Sequence, residues 1–285
     1  MSELVYLNGS LVPRAPAMLS PLDYGFLYGL ALFETMRAYD GRIFRLEEHL
    51  NRLAQAAEEL AIMVDIAELR NAVMATIKAN KLGDARVRLT VSAGEGEMTP
   101  DPDTCLKPTV LVMARSYHPY SEDVYVRGFR AIVSSYRRNS RSLLSRIKSA
   151  NYAESLLARQ EARKAGADEA ICPNERGLVA EASMCNIYLV SGGVLKTPGP
   201  DSGILPGITR GVVLELAAGM GIPVAEGDIQ PEELFGAREA FLTSSLIEVM
   251  PLTVIESKAV GSGQPGVLTR KLMAAYKKLV ARELG

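Results

Sequence analysis

Arg146-Ile147-Lys148-Ser149-Ala150-Asn151-Tyr152 sets a lysine at a strand-to-helix passage, with a tyrosine one helical turn on. Most lysines are solvated surface charges, so this one matters only through its setting. A lysine desolvated there loses its proton more easily, and a neutral amine attacks an aldehyde. Two other stretches give the passage meaning. Val179-Ala180-Glu181-Ala182-Ser183-Met184-Cys185-Asn186 places a carboxylate among small and apolar residues, where an unpaired charge is costly. A bound cationic ring nitrogen would relieve that cost, and so would an arginine. Leu205-Pro206-Gly207-Ile208-Thr209-Arg210 opens a helix. Gly207 lets the backbone approach a ligand closely, and the N–H groups at a helix start suit an anion. Many helices begin with Gly or Thr simply as caps, so this stretch alone decides little.

Outward from these stretches, the chain reads as strands and helices without a regular βαβ alternation. Asn8-Gly9 between apolar runs suits a type I′ hairpin turn. Leu46, Leu50, Leu53, Ala57 and Leu60 follow helical spacing, as do Ile66, Leu69 and Val73. Arg86 to Ala93 and Thr109 to Ala114 read as strands. A domain boundary is expected near Ser116 to Asp123, followed by strand-like runs at Val124–Val126 and Ala131–Ser135. Ala153, Leu156, Leu157 and Ala165 give a helical face closed by Gly166. Glu169–Cys172 and Asn186–Val190 read as strands. Helices are expected from about Gly207, with Val212, Val213, Leu216 and Met220 on one side, and from Gly266 to Leu284.

The 285 residues suffice for one large or two modest domains, and 48% hydrophobic with 23% charged residues is ordinary for a globular protein. A formal net charge of -1 gives no field for drawing in nucleic acid or anionic lipid. Glu3 and the lack of an early apolar core speak against a signal peptide, and no stretch reads as a membrane span. Three separated cysteines fit a reduced compartment, so a cytoplasmic location is expected. Only two histidines, His49 and His118, make a zinc site or a Ser-His-Asp hydrolase a poor reading, and no metal is expected.

Taken together, the three stretches resemble the fold-type IV (class IV) pyridoxal-phosphate aminotransferases, a family that includes branched-chain aminotransferases, D-amino-acid aminotransferases and aminodeoxychorismate lyases. The likeness runs from Tyr6-Leu7-Asn8-Gly9 to Gly261-Ser262-Gly263-Gln264-Pro265-Gly266. It passes through Tyr28-Gly29, Phe33-Glu34, Phe44-Arg45, His49, Arg52-Leu53 and Thr243-Ser244-Ser245. The resemblance implies a D-amino-acid-aminotransferase-like α/β fold of the α+β type in two domains. These are residues 1–118 and 124–285, joined by a linker at 119–123, with pyridoxal 5′-phosphate between them and a homodimer as the assembly. It further implies that Lys148 carries the cofactor as a Schiff base and that Glu181 faces the pyridine nitrogen. Tyr152 would bond the phenolic oxygen. Arg45, the backbone of Ile208 and Thr209, and Ser245 would hold the phosphate, with Ser183, Asn186 and Ser244 completing the cofactor set. Tyr28, Phe33, Arg37 and Arg88 would receive the substrate, with Arg86 and Met36 as further candidates.

Phe33-Glu34-Thr35-Met36-Arg37-Ala38-Tyr39 and the tyrosine at 152 resemble the branched-chain type, implying transamination between a branched-chain L-amino acid and 2-oxoglutarate by a ping-pong route. Two departures keep aminodeoxychorismate lyase and D-amino-acid or amine transaminase open. Arg86 stands where branched-chain enzymes usually carry a tyrosine, and the turn Tyr39-Asp40-Gly41-Arg42 is short. A non-catalytic cofactor-binding module is the remaining reading, and an intact Lys148, Tyr152 and Glu181 argue against it.

Overall fold

The computed structural model describes residues 3–285. The chain divides into two compact units. The first holds the chain up to His118 together with Ile147–Asn151. The second holds Pro119–Arg146 and Tyr152–Glu283.

The first unit opens with β1 (Leu4–Leu7) and β2 (Ser10–Pro13), then a short helix α1 (Tyr24–Leu27), β3 (Ala31–Tyr39) and β4 (Arg42–Ile43). Helices α2 (Leu46–Glu59) and α3 (Ile66–Ala79) precede β5 (Ala85–Ser92) and β6 (Thr109–Ser116). Asn8 and Gly9 both take positive φ, 46° and 93°, as a type I′ turn demands, and Leu7 pairs with Ser10. The six strands form one antiparallel sheet in the order β2-β1-β6-β5-β3-β4. Successive strand residues alternate between faces. Leu32, Met36 and Ala38 of β3 therefore join Val87, Leu89 and Val91 of β5 under the helical residues Leu50, Leu53, Leu69 and Val73. Each large side chain so buried contributes about 1.5–3 kcal/mol. Met36, entertained above as a pocket residue, is fully buried in this core and lies on the face opposite Phe33.

Inside that core sits a charged group. Glu34 is fully buried, and its carboxylate takes Nε and Nη2 of Arg52 at 2.8 and 2.6 Å and Nδ1 of His49 at 2.7 Å. Burial alone would raise the Glu34 pKa, but the Arg52 and His49 charges and hydrogen bonds hold it at about 2. His49 is lowered, first by burial, against the pull of Glu34.

The second unit begins with α4 (Glu122–Arg127), β7 (Phe129–Val133) and α5 (Leu143–Arg146). Then come α6 (Ala153–Lys164), β8 (Glu169–Pro173), β9 (Val179–Ala182), β10 (Asn186–Ser191) and β11 (Val194–Pro198). The remainder is α7 (Ile208–Gly219), β12 (Val224–Gly227), α8 (Pro231–Gly236), β13 (Glu239–Ser244), β14 (Glu248–Ile255), β15 (Lys258–Ala259) and α9 (Val267–Leu284). Its mixed sheet runs β12-β11-β10-β13-β14-β7-β8-β9, with β15 beside β14.

Two expectations are corrected here. Val124–Val126 is helical, because Glu122 and Asp123 favour a first turn after Ser121 and Gly128 at φ 75° stops it. The helix over Ala153–Lys164 forms, but it buries Ser155, Ala158 and Ala162 and leaves Leu156 and Leu157 exposed. Small residues win that face because α6 lies close on β8, where Ala158 and Ala162 meet Ala170 and Cys172. Among the described residues, no helix is long and apolar enough to cross a membrane.

Candidate active site

In the first unit, Lys148 follows the short helix α5 through a turn; no strand leads directly into it. The backbone on either side is fastened to β3. Phe33 N donates to Lys148 O at 2.9 Å, Ala150 N donates to Ala31 O at 2.7 Å, and Ser149 bridges to Leu32. Asn151 Nδ2 adds a bond to Gly29 O at 2.9 Å. The half-buried Lys148 amine lies 4.7 Å from the centroid of the Phe33 ring, which also carries the Arg88 guanidinium at 3.8 Å. Phe33 is itself buried. Thus β3 and β5 bring an amine, an aromatic surface and a guanidinium together.

The other first-unit candidates are spread more widely. Arg45 caps α2 in the left-handed region at φ 56°, and its Nη1 meets Glu48 Oε1 at 2.6 Å. Tyr28 is exposed, and its hydroxyl donates to Met98 O at 3.1 Å. Arg37 is buried against the rings of Tyr39 and Tyr117.

In the second unit, Glu181 is buried and fully engaged. Its Oε1 pairs with Arg138 Nη2 at 3.1 Å, while Oε2 accepts from Asn186 Nδ2 at 2.8 Å and Leu205 N at 3.1 Å. The arginine alternative raised for this carboxylate is therefore realised, and burial by itself no longer calls for a bound cation. Arg138 is held in turn by the carbonyls of Gly203 and Ser145, at 3.0 and 2.9 Å. A buried carboxylate with one arginine and two N–H donors is a fixed negative charge.

Asn186 also fixes the start of α7, because its Nδ2 donates to Leu205 O at 2.9 Å. Gly207 caps that helix without a side-chain bond, and a Cβ there would overlap Asn186 Oδ1. Backbone and amide thus approach each other as only glycine permits. Ile208 and Thr209 open the helix with Thr209 buried. Register sets Asn186 beside Thr243, whose buried Oγ1 has no hydrogen-bond partner; Ser244 and Ser245 follow where β13 turns into β14. Tyr152 is half-buried ahead of α6. Burial first, and then the Glu181 charge, push its phenol above the ordinary tyrosine range, so it stays a hydrogen-bond donor. Ser183 lies behind this group and donates to Glu169, a buried carboxylate raised by desolvation and backed by Arg159 at 3.4 Å.

Each unit by itself offers groups that fit part of a phosphorylated pyridine aldehyde. The second unit offers N–H groups at an uncapped helix start, an unsatisfied buried hydroxyl and a fixed carboxylate. The first offers a half-buried amine. The sequence profile described as Amino-transferase class IV matches residues 31–255. The chain belongs to the class IV aminotransferases. It is 40% identical over 279 residues to a putative branched-chain-amino-acid aminotransferase of Methanocaldococcus jannaschii, covering 96% of each chain. It is 37% identical to the aminodeoxychorismate lyase of Bacillus subtilis, covering 96% of this chain and 94% of that one. Among solved structures, a T.th. branched-chain amino acid aminotransferase with pyridoxamine 5′-phosphate superposes at a TM-score of 0.93 and 32% identity, covering 98% of this chain and 94% of that one. This class IV aminotransferase is accordingly a pyridoxal-phosphate-dependent transferase with the two-sheet α/β fold of its family.

Sequence reasoning missed Arg138, which reads as part of a short basic cluster, and the Glu34–His49–Arg52 group. The helical spacing of His49 and Arg52 was visible, but their joint target on β3 was not.

Proposed function

We propose that this aminotransferase exchanges amino groups between branched-chain L-amino acids and 2-oxoglutarate, with Lys148 as the reacting residue. The observation that carries the reading is the Lys148 amine on the buried Phe33 ring, with Arg88 sharing that ring. Phe33 offers an apolar wall to an aliphatic side chain, and Arg88 offers a fork to a carboxylate. The Methanocaldococcus relative, itself named as a putative branched-chain enzyme, supports the same assignment.

Bound pyridoxal phosphate supplies an aldehyde and an electron-withdrawing ring that holds the charge released at the substrate α-carbon. Lys148 would present its amine to that aldehyde, and would later carry the α-proton on Nζ from the substrate to the former aldehyde carbon, so that the amino group stays behind on the cofactor. Glu181, fixed by Arg138, Asn186 and Leu205, accepts a proton-bearing ring nitrogen. Tyr152 donates from its protonated phenol to the ring oxygen. Ile208 and Thr209 N–H groups, Thr209 and Ser245 hydroxyls and the Arg45 guanidinium take the phosphate, while Ser183, Asn186 and Ser244 keep those groups in place. Tyr28 and Arg37 border the substrate.

Glu181→Gln keeps an oxygen for Asn186 and Leu205 but removes the charge. The expected result is retained cofactor absorbance with turnover slower by about 10²–10³-fold. Unchanged turnover would remove Glu181 from the reaction. The substrate is tested by a panel of donors and acceptors. Leucine with 2-oxoglutarate should yield glutamate, whereas release of pyruvate and 4-aminobenzoate from aminodeoxychorismate would make the enzyme a lyase, as the Bacillus relative suggests. Activity with D-alanine would reverse the stereochemical assignment. The free cysteines fit a reducing cytoplasm. The exposed Phe26, Met98 and Leu106 of the first unit fit a homodimer, which a solution mass of one chain would refute.

A further inference from the structure

The first sheet carries a row of like charges on the face away from its core. Register sets Arg37 opposite Arg86, and Arg86 opposite Arg115, across β3, β5 and β6. Directly opposed like charges destabilise a sheet, so such a row needs a reason. Arg115 is offset by Glu3, whose two oxygens take its Nε and Nη2 at 2.9 and 3.1 Å. Arg37 is buried, with its Cζ 4.3 Å from the Tyr39 ring centroid and 5.1 Å from that of Tyr117. Arg86 stands exposed between the two. Apart from Arg88, the remaining positions on this face of the three strands are apolar, aromatic or hydroxyl residues, and none is acidic.

The charges lie in order along the strands. Lys148 and Arg88 share the ring of Phe33, Arg88 pairs across from Thr35, and Arg86 with Arg37 forms the next rung. Two residues of strand put that rung about 7 Å beyond Arg88. We propose that Arg86, backed by Arg37, receives a distal carboxylate of the substrate. The enzyme then accepts dicarboxylic amino and 2-oxo acids longer than glutamate and 2-oxoglutarate, with six- and seven-carbon chains. The rings around Arg37 keep one positive charge fixed, while the exposed Arg86 supplies the fork that closes on a carboxylate. The proposal rests on Lys148 as the reacting amine, since that residue marks the near end of the row.

The test compares ligands that differ only in the distal carboxylate. Adipate and hexanoate are titrated calorimetrically into the holoenzyme, and kcat/KM is measured for 2-oxoadipate and 2-oxohexanoate. Wild-type enzyme should prefer each dicarboxylate, and Arg86→Ala should cut that preference on the order of 10- to 100-fold. Arg86→Lys should restore part of it, and the melting temperatures should match. A preference that is absent in the wild type, or that survives Arg86→Ala unchanged, overturns the proposal. Should adipate binding keep its dependence on Arg86 while no oxo acid is turned over, the aminotransfer reading fails and the carboxylate site stands. Turnover of both oxo acids without any such preference removes the carboxylate site and leaves aminotransfer in place.

Discussion

Lys148→Ala is expected to abolish transamination, lowering turnover by at least ~10⁴-fold, and to prevent the protein from acquiring the absorbance of covalently held cofactor. The size follows from two tasks resting on one nitrogen: bonding to the aldehyde, and moving the proton at the substrate α-carbon. No neighbour replaces it. Arg88 shares the Phe33 ring, but a guanidinium stays protonated and cannot attack. Lys148→Arg therefore separates charge from reactivity and should be as inactive as the alanine variant. Stability should stay within about 1 kcal/mol of wild type, because the bonds that fasten this segment to β3, Phe33 N to Lys148 O and Ala150 N to Ala31 O, are backbone bonds and the side chain is half-buried. Activity above a few percent in either variant would remove Lys148 from the chemistry.

Glu34→Gln should be the most destabilising single change in the first unit, by about 3–5 kcal/mol in urea denaturation. It leaves Arg52 facing a neutral amide in a site that is dry on the Glu34 side. The same group makes stability depend on pH. Glu34 is depressed from 4.5 to about 2, so the stability it contributes is complete above 4.5 and is lost as pH falls towards 2. His49 is also depressed, from 6.5, so the unfolded chain takes its proton first and stability begins to fall below that pH. Wild-type protein should show both declines, and Glu34→Gln should lose the lower one. A variant as stable as wild type, with both limbs intact, would contradict this account.

Much of the fold was legible because local chemistry and tertiary structure agree. Asn8-Gly9 carries its turn in its φ angles, and the α2 and α3 stripes meet the sheet as their spacing implies. Where they disagree, the reading failed. Ala31–Tyr39 escaped notice as a strand because both faces are covered and because Glu34 and Arg37 interrupt its apolar run. Along α6 the leucines outweigh the alanines in hydrophobicity, but close approach to β8 selects the small side chains. Lys148, Glu181 and the Gly207 turn were legible as residue types in order. The Arg138 partner was not, since nothing near Glu181 in the chain names it; only the fold brings that guanidinium to 3.1 Å. Arg86 read as a departure from the family pattern, and register alone shows that it belongs to a row.

The most direct measurement is borohydride reduction of the cofactor-loaded enzyme, followed by mass mapping of the peptides. A pyridoxyl-phosphate mass addition on the peptide containing Lys148, and on no other lysine, is the predicted result. An addition on a different lysine, or none in protein that still carries the cofactor, would contradict it.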